Sequence, residues 1–285
     1  MATDRIIAVL SGKGGTGKTL VSVNLAACAE NATYIDCDTE EPNGHLFLKP
    51  TITEQKTIFS EKPVVDQSKC TACGKCVKAC AFNALALVGK NLLIFNEVCH
   101  SCGLCSAICK QQALVQQQYP IGSVVQGTSK TLQFYSGQMN IGESSAVPII
   151  KELLKKTHEG IVIIDSPPGS GCLVTETIDH ADFCLLVAEP TIFGAHNLAM
   201  VHELVTLMGK KCAVLLNKTQ AGANPSEEYA LKHNLKILGS LAYDEHLAQL
   251  SSNALLACEE EEQYRQFFSN LLKEVLDASD SHTQR

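Results

Sequence analysis

The sequence predicts an α/β protein with a mostly parallel sheet, interrupted by a small α+β domain of different chemistry. Three observations predict it. Short apolar runs rich in β-branched residues alternate with helix-periodic stretches, the pattern of strands covered on both faces. A glycine-rich turn follows the first such run. A cysteine-rich segment in the middle of the chain breaks the alternation.

Residues 5–10 (RIIAVL) read as a buried strand, and a helix follows from about 18 to 30. Residues 32–36 form a second strand that ends in an acidic cluster, Asp36, Asp38, Glu40 and Glu41. Further buried strands are expected at 161–165, 183–188, 213–217 and 236–238. Helices are expected around 145–157, 194–208, 226–233 and 261–276, and the polar end 279–285 as frayed.

The chain has 285 residues, 45% hydrophobic and 19% charged, enough to bury a core. Its formal charge of −7 and aromatic content of 5% speak against nucleic acid as a partner. The N-terminus lacks a signal-peptide pattern, and no apolar run approaches the roughly 18 residues of a membrane span. A cytoplasmic protein without a stable membrane anchor is expected. Reduced cytosolic thiols make clustered cysteines metal ligands rather than disulfides.

Eight of the fourteen cysteines lie between Cys70 and Cys109. Cys70, Cys73, Cys76 and Cys80 recur, 29 positions on, as Cys99, Cys102, Cys105 and Cys109. Val65 likewise matches Ile94, and Ala84-Leu85 matches Ala113-Leu114. Such a repeat marks two copies of one small unit. Lysines outnumber acidic residues by three over 63–115, which leaves −10 on the remainder. The segment is therefore read as an inserted domain, 63–115, within a discontinuous one, 1–62 and 116–285.

Each repeat is C-x₂-C-x₂-C-x₃-C, the two-cluster ferredoxin pattern. Three thiolates at three-residue steps wrap one cluster, and the fourth reaches the other. This assigns Cys70, Cys73, Cys76 and Cys109 to one [4Fe–4S] cluster, and Cys99, Cys102, Cys105 and Cys80 to the second. Zinc is the rival, but zinc sites favour two C-x-x-C pairs with a longer spacer. The proline that ordinarily closes the pattern is replaced by Ala81 and Lys110.

Gly12-Lys13-Gly14-Gly15-Thr16-Gly17-Lys18-Thr19 fits G-x-x-x-x-G-K-[ST], between a strand and a helix. In a phosphate-binding loop of this kind the glycines turn backbone N–H groups onto phosphate oxygens. Lys18 adds positive charge and Thr19 a hydroxyl for Mg²⁺. The fold is then that of a P-loop NTPase. The apolar run 161–164 ends in Asp165, the pattern of a carboxylate that holds the Mg²⁺ shell. Ser166-Pro167-Pro168-Gly169 follows, where the Gly169 N–H can approach a γ-phosphate. No N-K-x-D guanine signature follows Asn217-Lys218, which favours ATP over GTP.

Lys13, directly after the first glycine, resembles the deviant P-loop family of MinD, ParA, Mrp and the nitrogenase iron protein. The resemblance extends to MinD-superfamily ATPases with an inserted ferredoxin domain and, less specifically, to Asn140-Ile141-Gly142-Glu143 and Glu189-Pro190-Thr191. It implies an ATP-sandwich dimer, homomeric or with a related ATPase, in which Lys13 reaches the partner's nucleotide. It implies that Asp38 positions the attacking water, that Asp36 supports Mg²⁺, that Asn43 is a switch asparagine and that Asn217 contacts adenine. It also makes Cys172, seven residues after Asp165, similar to the interface cysteine of the nitrogenase iron protein. No second cysteine between 110 and 171 accompanies it, so a bridging all-thiolate cluster is not favoured. Cys28, Cys184 and Cys212 read as small core residues.

The expected function is a Mg²⁺-dependent ATPase, slow without its partner, that couples switching of a dimer or partner to electron transfer through the two clusters. Its partner is then a redox protein. The alternatives are an iron–sulfur or metallocofactor carrier, and a positioning ATPase whose clusters sense redox state.

Overall fold

The computed structural model describes residues 5–155 and 160–280. Among the described residues the strands are β1 (Arg5–Leu10), β2 (Thr33–Asp36), β3 (Thr51–Val65), β4 (Leu85–Val88), β5 (Asn91–Ile94), β6 (Leu114–Ser129), β7 (Leu132–Met139), β8 (Ile161–Asp165), β9 (Phe183–Ala188), β10 (Lys211–Thr219) and β11 (Ile237–Ala242). The α-helices are α1 (Lys18–Cys28), α2 (Gly44–Leu48), α3 (Lys75–Ala79), α4 (Leu104–Ala107), α5 (Val147–Leu154), α6 (Cys172–His180), α7 (Ile192–Leu207), α8 (Pro225–Lys232), α9 (Glu245–Ser252), α10 (Ala257–Glu260) and α11 (Glu262–Asp280).

The large sheet has the order β11-β10-β9-β1-β8-β2-β7-β6-β3. From β11 to β7 every neighbouring pair is parallel. Strand β9 is buried along its whole length and β1 along its last four residues, because a parallel sheet carries helices on its faces. The core packs Val21, Val23 and Leu25 of α1 and Phe268, Leu271 and Val275 of α11 with strand residues such as Ile7, Val9 and Leu185. In α11 the buried positions Tyr264, Phe268, Leu271, Leu272 and Val275 recur at helical spacing.

The strands at 5–10, 161–165 and 183–188 lie where the sequence predicts. The helix expected at 18–30 ends at Cys28. Within the end expected to fray from 279, Ser279 is buried and Asp280 closes α11, where it pairs with Arg5. Positions 281–285, and 156–157 of the helix expected at 145–157, lie outside the described residues.

Strands β3, β6 and β7 escape the sequence reading. Strand β3 (TITEQKTIFSEKPVV) is mostly exposed and contains Pro63, and β6 contains Pro120. Such strands present no apolar run, since ladder hydrogen bonds are made by the backbone whatever the side chains.

The chain divides into two compact units: residues 1–55, 124–138 and 150–285, and residues 56–123 with 139–149. The second is wider than 63–115 because it takes in parts of β3 and β6 and a segment after β7. Inside it, Glu143 pairs with the buried Lys62 at 2.7 Å, and Ser144 Oγ donates to the Cys99 carbonyl at 2.9 Å.

The repeat is visible as geometry in the second unit. Left-handed backbone recurs at Ala72 and Ser101, at Gly74 and Gly103, and at Asn83 and Gln112, each pair 29 positions apart. The Phe95 N–H donates to the Ala84 carbonyl at 2.9 Å, and its counterpart Asp66 to that of Ala113 at 2.7 Å. Hairpin β4–β5 pairs Leu85 with Ile94.

Candidate nucleotide and cysteine sites

Strand β1 delivers the Gly-rich loop to the carboxyl ends of the central strands, where ligands of open α/β sheets bind. Gly12 is required by proximity: a Cβ there would stand 2.4 Å from the Asn197 carbonyl oxygen. Gly17 adopts φ +91°, and its Cβ would meet Asn217 Nδ2 at 2.2 Å. Helix α1 starts at Lys18 and aims its positive end at the loop.

Lys18 is buried and ion-paired to Asp165, with Asp38 at 3.8 Å. The register of β2 on β8 sets Asp36 beside Asp165, so two buried carboxylates face one ammonium. Burial pulls the Lys18 pKa down, but Asp165, Asp38 and Asp36 outweigh it and the net shift is upward. Burial, and then Asp165, push Asp36 well above the carboxylate range. Burial raises Asp38 to about 6 against the opposing pull of Lys18. A cation entering the site would pull both carboxyls back down.

Asp36 accepts from the backbone N–H groups of Asp38 (3.1 Å) and Gly44 (2.9 Å), which fixes the acidic loop between β2 and α2. Lys13 pairs with Glu189 of its own chain. Asn217 Nδ2 donates to the Thr16 carbonyl at 2.7 Å, and Asn217 Oδ1 accepts from the Lys218 N–H at 2.9 Å. The Gly169 N–H donates to the Ser11 carbonyl at 2.9 Å. Cys172 is exposed at the start of α6.

Three contacts left no local signal, although Lys218 and Glu189 lie in segments that the sequence singles out. Tyr34 OH donates to Asp165 Oδ2 at 3.0 Å from inside an apolar strand. Lys218 Nζ donates to the Gly15 carbonyl at 2.6 Å, and Glu189 holds Lys13. Each contact links residues more than 130 positions apart.

A cavity of about 640 Å³ opens onto this constellation. Its walls include Lys13 to Thr19, Asp38, Asn43, Asn217, Tyr243 and residues of α9. The Thr16 and Thr39 hydroxyls are buried with no hydrogen-bond partner. Unpartnered buried hydroxyls, a lysine and paired carboxylates fit a magnesium nucleotide.

The eight cysteines fall into two sets. Cys70, Cys73, Cys76 and Cys109 line one cavity of about 140 Å³. Cys80, Cys99, Cys102 and Cys105 line another of about 20 Å³. The Ala84 and Ala113 N–H groups point at the Cys80 and Cys109 sulfurs, each at 3.4 Å. Among the described residues no three His, Cys, Asp or Glu side chains converge as ligands of a single metal ion do. The donor set, soft thiolates receiving backbone N–H groups, suits an iron–sulfur cluster, whose ligands bind separate irons.

Residues 7–257 match the CobQ/CobB/MinD/ParA nucleotide binding domain. The chain belongs to this family. An uncharacterized protein of Methanocaldococcus jannaschii, MJ0578, is 26% identical over 259 residues, which cover 89% of this chain and 90% of that protein. A second from the same organism, MJ0579, is 29% identical over 226 residues, 76% of this chain and 81% of the other. The septum site-determining protein MinD of Pyrococcus horikoshii, complexed with Mg-ADP, superposes with a TM-score of 0.59 at 17% identity over 96% of both chains. The fold is therefore that of a P-loop NTPase of the MinD/ParA kind. Among the described residues no helix is long and apolar enough to cross a membrane.

Proposed function

We propose that the chain is an ATP-hydrolysing iron–sulfur protein in which nucleotide-driven switching of a dimer, or of a partner, is coupled to electron transfer through two [4Fe–4S] clusters. The observation that carries this reading is the sorting of eight cysteines into two cavities of four, in a chain that also has a P-loop site. Cys70, Cys73, Cys76 and Cys109 would hold one cluster, and Cys99, Cys102, Cys105 and Cys80 the other; such clusters supply one-electron transfer.

In the nucleotide site Lys18 neutralises phosphate charge, and Thr19 and Asp165 hold Mg²⁺, with Asp36 supporting its shell. Asp38 orients the attacking water, in keeping with its place 3.8 Å from Lys18. The Gly169 N–H leaves Ser11 to meet the γ-phosphate, while Asn43 follows from the switch loop. Lys13 leaves Glu189 to reach the nucleotide of a second subunit, identical or related. A redox protein is the onward partner.

The test is anaerobic purification followed by iron and acid-labile sulfide analysis with a visible spectrum. A brown protein that a reductant bleaches reversibly, at a rate altered by MgATP, is expected. A colourless, iron-free preparation overturns the reading. Reduction indifferent to nucleotide and partner removes the coupling.

The likeness to a septum site-determining protein favours a second reading, a positioning ATPase with redox-sensing clusters. It requires patterned localisation in cells that Lys18→Ala abolishes. Transfer of a cluster to an apo-acceptor, lost in Cys172→Ala, would instead mark a carrier.

A further inference from the structure

The two cysteine repeats share an interior and differ at the rim. Ala84 and Ala113 are equally buried, as are Leu85 and Leu114, and Gly74 and Gly103 adopt φ 71° and 73°. Four exposed lysines surround the first cysteine set. Lys75 and Lys110 line its cavity, Lys78 stands one turn from Lys75 on α3, and Lys69 precedes Cys70. Their counterparts 29 positions away are Leu104 for Lys75, Ala81 for Lys110, Ala107 for Lys78 and Val98 for Lys69. All four counterparts are exposed and none is charged. Packing does not explain the contrast, since both members of each pair face solvent. Lys69 is offset by Asp66 at 3.2 Å. Among the described residues no ion pair engages Lys75, Lys78 or Lys110.

We propose that the end of the second unit bearing Lys75, Lys78 and Lys110 is the docking face for a separate, acidic electron-carrier protein. The inference rests on the reading of Cys70, Cys73, Cys76 and Cys109 as a cluster site, and adds which end exchanges electrons and with what class of partner.

Exposure alone does not choose an end, because Cys73 and Cys102 are both exposed. Charge does. Residues outside 63–115 carry a formal −10, so the bulk of the chain repels an acidic carrier while one patch attracts it. A patch of opposite sign steers encounter and orients the carrier toward the adjoining cysteines. Exposed charges of this kind add little affinity but raise the association rate. That suits a carrier that must bind, react and leave. The other repeat, with Leu104 and Val98 at the same places, offers no such attraction.

The experiment uses the anaerobically purified full chain with an acidic flavodoxin as the probe. Carbodiimide joins lysine amines to carboxylates in direct contact, and peptide mapping should place the flavodoxin on Lys75, Lys78 or Lys110. The triple variant Lys75→Leu, Lys78→Ala, Lys110→Ala puts on this repeat the residues that the other already carries, so its iron content and visible spectrum should match the wild type. In stopped flow at low ionic strength, its reduced form should react with anionic ferricyanide at least about threefold more slowly than wild type, and with cationic hexaammineruthenium(III) faster. Both differences should vanish in about 1 M salt. The converse variant, Ala81→Lys, Leu104→Lys, Ala107→Lys, should speed the ferricyanide reaction. Cross-links absent from the three lysines, or joining them only to a second copy of this chain, overturn the proposal. A ferricyanide rate unchanged in a triple variant that keeps its iron does the same and leaves the clusters standing. Wild-type protein free of iron overturns the cluster reading itself, and the docking face with it.

Discussion

In the proposed nucleotide site, Lys18 is where phosphate recognition and folding would meet. It is the cation facing Asp165 and Asp36, both fully buried, and it lines the cavity. Lys18→Ala leaves buried carboxylates without their cation, which costs about 3–5 kcal/mol when one partner of a buried pair is removed. Urea unfolding should show a loss of that order, and Asp165→Asn added to Lys18→Ala should recover part of it. Asp38 makes a separate statement about pH. Its folded value of about 6 lies above the unfolded value near 3.9, so between the two the native state binds more protons. Stability from this group is present below the unfolded value and lost as pH rises through about 6. The Tm of nucleotide-free protein should therefore fall between about pH 5 and about pH 7, less steeply in Asp38→Asn. An equal slope in the variant would show that Asp38 does not titrate in that window.

At the scale of elements, the Gly-rich loop is shaped by what crowds it rather than by glycine content. Gly12 faces the α7 backbone at Asn197, whereas nothing lies within 4 Å of a Cβ placed on Gly14. Gly12→Ala should cost about 1–3 kcal/mol by overpacking against backbone that cannot give way. Gly14→Ala should leave the Tm unchanged, although both belong to the same motif. The motif itself was legible because strand, turn and helix are consecutive in sequence. The acidic loop was legible as charge but not as structure. That Asp36 serves the N–H groups of Asp38 and Gly44 emerges only once α2 is in place. Strands β3 and β6 were missed because they are polar and largely exposed, and β7 because polar residues break its short apolar run although it is mostly buried beside β2.

Across the whole molecule, the proposal joins two chemistries in one chain, and iron content tests the division between cavities. Cys73 and Cys102 occupy equivalent places in the two sets. Cys73→Ala and Cys102→Ala should each lose about half the bound iron, and the double variant nearly all of it. Loss of all iron from either single variant would tie the two cavities into one unit. The contact of Lys13 with Glu189 bears on assembly. Lys13→Ala should abolish ATP-dependent dimerisation in light scattering while nucleotide binding by the single chain persists. A variant that still dimerises would remove Lys13 from the interface.

By itself the sequence determined the chemistry: a phosphate loop between a strand and a helix, a carboxylate at the end of an apolar run, and two four-cysteine repeats. These are local patterns, in which spacing along the chain fixes which groups share a turn. Tertiary structure alone decided which groups meet across long separations: Tyr34 with Asp165, Lys218 with the loop, and Lys13 with Glu189. Such contacts depend on strand order and helix packing, which bring together residues that no spacing rule connects.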